Sequence, residues 1–339
     1  MPSDRALLVA AGGGIGDTLL AGVVAHALRT RYAYVDALVL PAHRAIPEHD
    51  PAIDRVHVLA SAVPTAEDLR SAGYAAAVVT WATFTTALVP ALARIPLRVG
   101  QARRLYSPLF TNRVTVRSEL GDHRTHWTQI LLDYARAIGC DDPAGQPAFV
   151  PTGADRAAAD ALLAARGVSG PFALLHPTRG LSAARARWPA AGFIALARAL
   201  RERDGLPLLV TGTADDAAVA EAVAQGSGAI SIAGATSIGT FAALAERASY
   251  AVAMDSGPMH VAAAVGAPTV GIFALQSDEP DRWAPAGPRT AVVRAVYPCP
   301  PGHRKETCPD FACVRHLDVA AILAALDGVL ATATERAPV

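Results

Sequence analysis

The chain has 339 residues, which at about 150 residues per domain suggests two domains. Hydrophobic residues make up 52% and charged residues 18%, a composition that supports sizeable cores and excludes an intrinsically disordered chain. Lysine plus arginine and aspartate plus glutamate balance at 30 each, so no net basic charge favours non-specific nucleic-acid binding.

The sequence also lacks the features of membrane-spanning and secreted proteins. No apolar run reaches the roughly 18 residues of a membrane span. Residues 1–4 lead straight into an apolar stretch, and the four cysteines do not resemble a secreted disulfide framework. We therefore expect a cytoplasmic protein with no nucleic-acid partner and at most peripheral membrane contact.

A glycine-rich segment follows the first predicted strand and precedes an amphipathic helix. Glycines in residues 12–17 are typical of a loop that binds an anion or a cofactor. The dinucleotide fingerprint is not matched cleanly by Gly12, Gly14 and Gly16, although Asp36 lies near the expected distance beyond them. This spacing disfavours a nicotinamide cofactor.

Asp17 stands at the start of that first helix, where the helix dipole favours a carboxylate. Two interpretations stay open. Asp17 either caps the helix or acts as a general base held over a cleft by the glycine loop. One residue can do both.

The rest of the first half alternates strands and helices and ends at a linker. We expect strands at residues 37–40, at the end of 51–59 and at 74–81, a turn starting at 98–100, a helix over 126–139 and a linker at 141–147. Five arginines of its loops are candidates for an anionic acceptor or for solvated surface: Arg98, Arg103, Arg104, Arg113 and Arg124.

The second half repeats the alternation. Predicted strands lie at residues 172–176, 208–210, 230–233, 250–254 and 269–273, and predicted helices at 155–166, 188–200, 238–247 and 319–330, with another starting near 215–216. The pattern predicts an α/β protein with two doubly wound parallel sheets. Ligands are expected at the carboxyl ends of the strands, in the crevice between the domains.

Residues 254–264 form the most informative stretch, in which a buried strand turns into an alanine-rich helix. Asp255 or Ser256 can cap this helix, Gly257 allows close approach to the backbone, and Pro258 suits the first turn. Free N–H groups at such a turn suit a phosphate. An ordinary strand-to-helix turn is the alternative.

These segments, in this order, resemble glycosyltransferase family 9, the heptosyltransferase family of lipopolysaccharide core assembly. The resemblance covers nearly the whole chain and rests on the ordered set more than on any one motif. The matching segments are residues 16–20, 51–56, 95–100, 126–139, 176–178, 187–189, 234–237 and 255–264.

The resemblance implies a GT-B fold, in which two Rossmann-like domains face a cleft. Residues 1–150 would form the acceptor-binding domain and residues 151–339 the nucleotide-sugar-binding domain, with a last helix able to pack back on the first. It also implies inverting, metal-independent transfer from ADP-heptose to a hydroxyl such as that of the lipopolysaccharide inner core. The sequence contains no Asp-x-Asp, in keeping with a site that needs neither a metal nor another cofactor.

The family's motifs assign roles to particular residues of this chain. Asp17 matches the catalytic base, with Gly13, Gly14 and Gly16 as the glycine loop near the acceptor. Thr178, the loop arginines and the turn at 256–257 would meet the diphosphate, and His260 a phosphate or sugar hydroxyl unless it only packs. Asp255 would bind sugar hydroxyls or cap its helix. The donor-binding set is Thr178, Arg179, Arg185, Arg187, Thr213, Asp215, Asp255, Ser256, Gly257 and His260.

One position departs from the family. A lysine commonly stands two residues before the Trp-Pro pair, and this chain has Ala186 there. Arg185 and Arg187 flank Ala186 and can supply the missing charge, although arginine differs from lysine in reach and geometry. Because of this departure, the identity of the donor and the catalytic competence of the protein stay open.

Three late cysteines, Cys299, Cys308 and Cys313, have His303 and His316 nearby. They form either a metal-stabilised finger or a set of reduced structural thiols, since their spacing matches no standard zinc pattern.

Three other functions stay open beside heptosyl transfer to lipopolysaccharide. The acceptor can be a glycan, a lipid-linked molecule, a secondary metabolite or a protein. A sugar-nucleotide epimerase shares a similar two-domain fold and would need no acceptor. A catalytically degenerate nucleotide-sugar binder is the non-enzymatic alternative.

Overall fold

The structure of the protein is a computed structural model that describes residues 4–178, 188–275, 279–299, 308 and 310–334. The chain divides into two compact units, Met1–Val150 and Pro151–Val339.

The first unit is built on a parallel sheet of six strands. The strands are β1 (Arg5–Val9), β2 (Tyr34–Val39), β3 (Arg55–Val58), β4 (Ala76–Val79), β5 (Leu97–Gln101) and β6 (Asn112–Val114). They pair in the order β3-β2-β1-β4-β5-β6. The helices are α1 (Ile15–Arg29), α2 (Ala45–Glu48), α3 (Ala62–Arg70), α4 (Phe84–Leu92) and α5 (Trp127–Arg136).

The central strand β4 is apolar along its whole length because helices cover both faces of the sheet. Every residue of β4 is buried, and α1 buries Leu20, Val23, Val24 and Leu28 on the sheet and on α5.

The second unit repeats the arrangement with a second parallel sheet. Its strands are β7 (Ala173–His176), β8 (Leu208–Val210), β9 (Ile230–Ser231), β10 (Ala251–Met254), β11 (Thr269–Phe273) and β12 (Thr290–Arg294). They pair in the order β12-β11-β10-β7-β8-β9. The helices are α6 (Gly153–Ala165), α7 (Ala190–Asp204), α8 (Ala217–Ser227), α9 (Ile238–Arg247), α10 (Gly257–Ala264), α11 (Pro280–Trp283) and α12 (Val319–Thr334). Two doubly wound parallel sheets are thus confirmed.

One segment of the first unit was predicted incorrectly. Residues 98–100 lie inside β5 rather than starting a turn, since Val99 pairs with Asn112 of β6. A side chain at Gly100 would overlap the Phe110 ring, so the glycine marks a close approach of the ring to the strand. Two of the four edge strands, β6 and β12, were not predicted because half-exposed edge strands lack a continuous apolar run.

The final helix, α12, contributes to the core of the second unit. Ile322, Leu326 and Val329 of α12 are buried in the core that contains Val270 and Val293 of β11 and β12. Their spacing places all three on one helix face.

Within the described part of the chain, every helix is too short or too polar to cross a bilayer.

Candidate functional site

Each sheet has one position where the strand order reverses direction, and ligands of open α/β sheets bind beside that position at the carboxyl ends of the strands. In the first sheet it lies between β1 and β4, and in the second between β7 and β10. The predicted site residues follow these strands. Asp17 comes after β1, Thr178 after β7 and Asp255 after β10.

The glycine loop after β1 folds around the Asp17 carboxylate. Gly13 has φ +71°, and a Cβ added there would overlap that carboxylate. Asp17 Oδ2 accepts a hydrogen bond from the Gly14 N–H at 2.6 Å, and Gly14 occupies the N-cap position of α1. Asp17 therefore stabilises the helix start from the third position of the first turn, and its carboxylate is fixed in place.

The environment of Asp17 favours its protonated form. Burial raises the pKa of the Asp17 carboxyl above its ordinary value, while the Gly14 N–H and the nearby His43 ring partly offset the effect. A half-buried carboxyl with a raised pKa accepts a proton more readily than an exposed one, as a general base requires.

His43 was missed by the sequence interpretation. It follows the carboxyl end of β2, next to the loop after β1, and is only 8% exposed. Its Nδ1 lies 3.0 Å from Thr18 Oγ1, the residue after Asp17. No local pattern connects residues 17 and 43; parallel pairing of β1 and β2 brings them together.

Two tryptophans at the same edge were missed as well. Trp81, after β4, stacks on Trp127 at the start of α5, with ring centroids 5.0 Å apart and planes at 26°. The backbone of Trp81 also lies against Gly12, where a Cβ would come within 2.8 Å of Trp81 Cβ. An aromatic pair therefore adjoins the glycine loop.

Asp36 is engaged inside the first unit. Its carboxyl is fully buried and accepts a hydrogen bond from Tyr74 Oη at 2.5 Å, with His57 and Arg5 at 3.6 and 3.5 Å. Burial raises the pKa of the Asp36 carboxyl, but His57, Tyr74 and Arg5 together outweigh burial and lower it. Asp36 thus holds β1, β2 and β3 together.

Two of the five loop arginines are engaged in the fold. Arg98 donates to the carbonyls of Leu109 and Ile95 at 2.8 and 2.6 Å. Arg104 pairs with Glu119 at 2.6 Å. The side chains of Arg103, Arg113 and Arg124 are exposed.

In the second unit, Thr178 is buried and its hydroxyl already has partners. Thr178 Oγ1 lies 3.2 Å from His176 Nε2 and also hydrogen-bonds Asp216, while His176 Nδ1 lies 2.9 Å from Thr211 Oγ1. Burial lowers the pKa of His176 to about 4, so the ring is neutral near pH 7. The network ties the loop after β7 to the loop after β8.

Thr213 and Asp215, the predicted ribose residues, begin the helical turn after β8. Thr213 donates from its N–H and its hydroxyl to Asp216 Oδ2, at 3.0 and 2.7 Å. Asp215 is exposed. Asp216 is therefore the carboxylate that organises this loop, and the capping-box spacing of Thr213 and Asp216 was the available signal.

The turn after β10 presents the first backbone N–H groups of α10. Ser256 occupies the N-cap position, yet its hydroxyl donates to the Met254 carbonyl at 2.8 Å and does not cap α10. Asp255 and Gly257 are half-buried beside it, and His260 is buried at 5% exposure in the same helix. A helix start without a side-chain cap suits an anion.

Three predicted diphosphate ligands, Arg179, Arg185 and Arg187, lie outside the described residues, as does Ala186.

The late cysteines are described but His303 is not. Cys299, Cys308 and Cys313 are free thiols, and Cys308 Sγ accepts a hydrogen bond from the Phe311 N–H at 3.2 Å. Within the described ranges, no three His, Cys, Asp or Glu side chains form a metal-binding group.

Comparison with known structures identifies the fold class. A family 9 glycosyltransferase from Veillonella parvula DSM 2008 superposes with a TM-score of 0.81 at 17% identity, covering 97% of both chains. E. coli ADP-heptose lps heptosyltransferase II superposes with a TM-score of 0.75 at 20% identity, and the superposition covers 97% of this chain and 99% of that one. E. coli heptosyltransferase WaaC with ADP superposes with a TM-score of 0.70 at 18% identity, and the superposition covers 96% of this chain and 99% of that one. The protein therefore has the GT-B fold.

A family model, glycosyltransferase family 9 (heptosyltransferase), matches residues 64–310, well over half of the chain. The chain belongs to this family and is a glycosyltransferase, which confirms the resemblance seen in the sequence. No curated protein sequence matches it significantly.

Proposed function

We propose that this glycosyltransferase moves a heptose-type sugar from ADP-heptose to an acceptor hydroxyl by inverting, metal-independent transfer. Family membership supports the sugar class, and the E. coli neighbours described with ADP and with ADP-2-deoxy-2-fluoro heptose support the donor. The observation that carries the proposal is the half-buried Asp17 carboxylate, held by the Gly14 N–H at the reversal point of the first sheet.

Asp17 acts as the general base. Inversion requires one displacement, in which the acceptor oxygen bonds to the anomeric carbon as the bond to the diphosphate oxygen breaks. The hydroxyl proton passes to Asp17 as the oxygen attacks. An ordinary aspartate has a pKa of ~3.9 and cannot remove this proton beforehand. Burial raises the pKa of Asp17, which favours proton transfer during attack, a contribution of roughly 10²–10⁴-fold.

The leaving diphosphate is bound by backbone N–H groups and cations. The start of α10, at Ser256 and Gly257, offers backbone N–H groups that the Ser256 hydroxyl does not cap. Arg179, Arg185 and Arg187 supply positive charge. Arg185 and Arg187 replace the charge of the lysine that the family commonly has at the position of Ala186. No metal or other cofactor takes part in this scheme.

The loop after β8 and the turn after β10 hold the remainder of the donor. Thr213 and Asp215 bind the ribose, Asp255 binds sugar hydroxyls, and His260 orients a phosphate or hydroxyl. Because the Thr178 hydroxyl is committed to His176 and Asp216, Thr178 contributes mainly through its backbone.

We assign the acceptor to residues 1–150 and the nucleotide sugar to residues 151–339. Gly13, Gly14 and Gly16 line the acceptor side of Asp17. The lipopolysaccharide inner core, a lipid-linked glycan, a secondary metabolite and a protein are the candidate acceptors. Engagement of Arg98 and Arg104 within the fold weakens the case for a strongly anionic acceptor. The protein acts in the cytoplasm.

Thermal unfolding with ADP, UDP, GDP and TDP, each with and without Mg²⁺, tests the donor. A ligand at 100 times its Kd stabilises by about 2.7 kcal/mol, enough to raise the melting temperature measurably. We expect stabilisation by ADP alone and no effect of Mg²⁺. Preference for another nucleotide would reassign the donor, and no shift with any nucleotide would contradict a preformed nucleotide-sugar site.

Incubation of the protein with ADP-heptose and no acceptor separates transfer from epimerisation. Without an acceptor, a transferase leaves the sugar of intact ADP-heptose unepimerised. It releases ADP only slowly, as water takes the place of the acceptor. Conversion of the sugar nucleotide to an epimer would contradict the proposal.

A further inference from the structure

A chain of hydrogen bonds connects His43 to the loop that carries Asp17. His43 Nδ1 lies 3.0 Å from Thr18 Oγ1, and both residues are buried. Thr18 Oγ1 lies 3.2 Å from the Gly14 carbonyl, which also accepts the Thr18 N–H at 3.1 Å. The Gly14 N–H in turn donates to Asp17 Oδ2 at 2.6 Å. Gly14 is thus held from both sides, by Asp17 and by Thr18.

The tautomer of His43 depends on which acceptor receives the Thr18 hydroxyl proton. Thr18 has one hydroxyl proton, and donation to the Gly14 carbonyl leaves the oxygen of Thr18 as an acceptor. With the Thr18 proton on the Gly14 carbonyl, His43 Nδ1 is the donor, and the neutral ring carries its proton on Nδ1 and keeps a lone pair on Nε2. Protonation at Nε2 adds a positive charge without disturbing the bond to Thr18.

We propose that His43 is a positioning residue for Asp17. Its Nδ1–H fixes Thr18 and, through Thr18, the glycine loop, while the charge that its ring gains or loses at Nε2 adjusts the proton affinity of the Asp17 carboxylate. This inference rests on the proposed role of Asp17 as base.

The electrostatics of the two side chains agree with this geometry. Burial lowers the pKa of His43, and the charge of Asp17 partly restores it. Burial raises the pKa of Asp17, and the Gly14 N–H and the charge of His43 partly lower it. Each group therefore favours the charged form of the other, as expected for a coupled acid–base pair.

Other titratable groups around His43 have partners of their own. On α2 and the residue before it, Arg44 pairs with Glu48 at 2.7 Å. The next residue, His49, has its Nδ1 2.6 Å from the Ala45 carbonyl. Further along α1, His26 Nε2 lies 3.0 Å from Asp50. Asp17 is the charged group that acts on the ring of His43.

Nuclear magnetic resonance titration of the whole protein tests the coupling without needing an acceptor. The ring of His43 is followed by ¹⁵N shifts between pH 5 and 8 in the wild type and in Asp17→Asn. We expect the pKa of His43 to fall in Asp17→Asn, because the ring loses a neighbouring negative charge. An unchanged pKa of His43 would overturn the inference.

The reciprocal titration uses His43→Asn, whose side-chain amide can replace the Nδ1–H donor but carries no charge. The ¹³C shift of the Asp17 carboxyl should titrate at higher pH in His43→Asn than in the wild type, since coupling is mutual. A purely structural role of His43 would leave the Asp17 titration unchanged wherever the amide keeps the loop intact.

A second pair of variants tests the positioning itself. Thr18→Val removes the hydroxyl at nearly constant volume and should lower kcat/KM, measured as ADP release from ADP-heptose, roughly ten- to hundredfold. Thr18→Ser retains the hydroxyl and should recover most of this loss. Equal values for the two variants would contradict positioning through Thr18.

The outcomes separate this inference from the proposed function. If Asp17→Asn retains full ADP release, the base assignment fails. If Asp17→Asn is inactive while the pKa of His43 is the same in both proteins, only the inference about His43 fails.

Discussion

Asp17 has the position and the surroundings for both of the roles that the sequence left as alternatives, helix capping and proton transfer. Its carboxylate accepts the Gly14 N–H and so stabilises the start of α1, yet it sits half-buried at the reversal point of the first sheet. Burial raises the pKa of the carboxyl, whereas an exposed capping carboxylate would have its pKa lowered by the hydrogen bond and the helix dipole. The direction of the shift favours the catalytic role.

Asp17→Asn should lower the rate of transfer roughly 10²–10⁴-fold, because the amide cannot accept the acceptor proton. The fold should persist, since the amide oxygen still accepts the Gly14 N–H. Initial rates with ADP-heptose measure the loss, and Asp68→Asn, an exposed aspartate of α3, is the matched control. A rate within twofold of wild type in Asp17→Asn would reject Asp17 as base.

His176 makes the stability of the second unit sensitive to acid. Its pKa is about 4 in the folded protein and about 6.5 in an unfolded chain, so the unfolded state binds more protons between these values. Stability from the neutral ring is complete above pH 6.5 and is lost as the pH falls toward 4.

Urea unfolding at several pH values between 7 and 4 should therefore give a falling free energy of unfolding for the wild type. His176→Asn should be less stable at pH 7, where it loses a hydrogen bond to Thr211 or Thr178, but should show a shallower decline toward pH 4. Parallel curves for the two proteins would show that His176 does not titrate during unfolding.

Among the elements, the loop between β1 and α1 depends most on its backbone conformation. Gly13 adopts φ +71°, where a side chain is strained, and the space that a Cβ needs is filled by the Asp17 carboxylate. A glycine here thus serves both the turn and the placement of the carboxylate.

Gly13→Ala should cost about 1–3 kcal/mol of stability and also reduce transfer, because the Cβ displaces Asp17. Gly153→Ala, at the open start of α6 with no atom near the added Cβ, is the matched control and should leave both quantities nearly unchanged. Denaturant unfolding and initial rates measure the two effects. Full activity in Gly13→Ala would mean that Asp17 tolerates displacement.

At the scale of the molecule, two sheets of the same strand order place two separate sets of loops at their carboxyl edges. The first set contains a carboxylate and an aromatic pair, and the second contains a helix start that its N-cap serine does not cap and a hydroxyl–imidazole network. The first set suits proton transfer from an acceptor, and the second suits a phosphate.

Hydrogen exchange with saturating ADP should therefore protect backbone amides of the second unit only. We expect slower exchange in residues 177–179, 212–216 and 255–260, with residues 1–150 unchanged. Exchange measured by mass spectrometry, with UDP as the control nucleotide, resolves these segments. Protection confined to the loop after β1 would reverse the roles proposed for the two units.

Much of this protein was predictable from local sequence patterns. Apolar runs predicted most central strands, the glycines and Asp17 predicted the loop after β1, and the order of motifs predicted the family. Such features depend on residues that are close in the chain, where side-chain periodicity and backbone preferences act directly. Edge strands such as β6 were not predicted, because their burial depends on packing against residues that are distant in the sequence.

Tertiary structure decided which distant residues meet. Pairing of β1 with β2 and β4 brings His43 and Trp81 to the loop of Asp17. Pairing of β7 with β8 joins the loops that carry Thr178 and Asp216. The physical reason is that parallel strands are adjacent in space but separated by a helical crossover in the chain, so their contacts leave no periodic trace in the sequence.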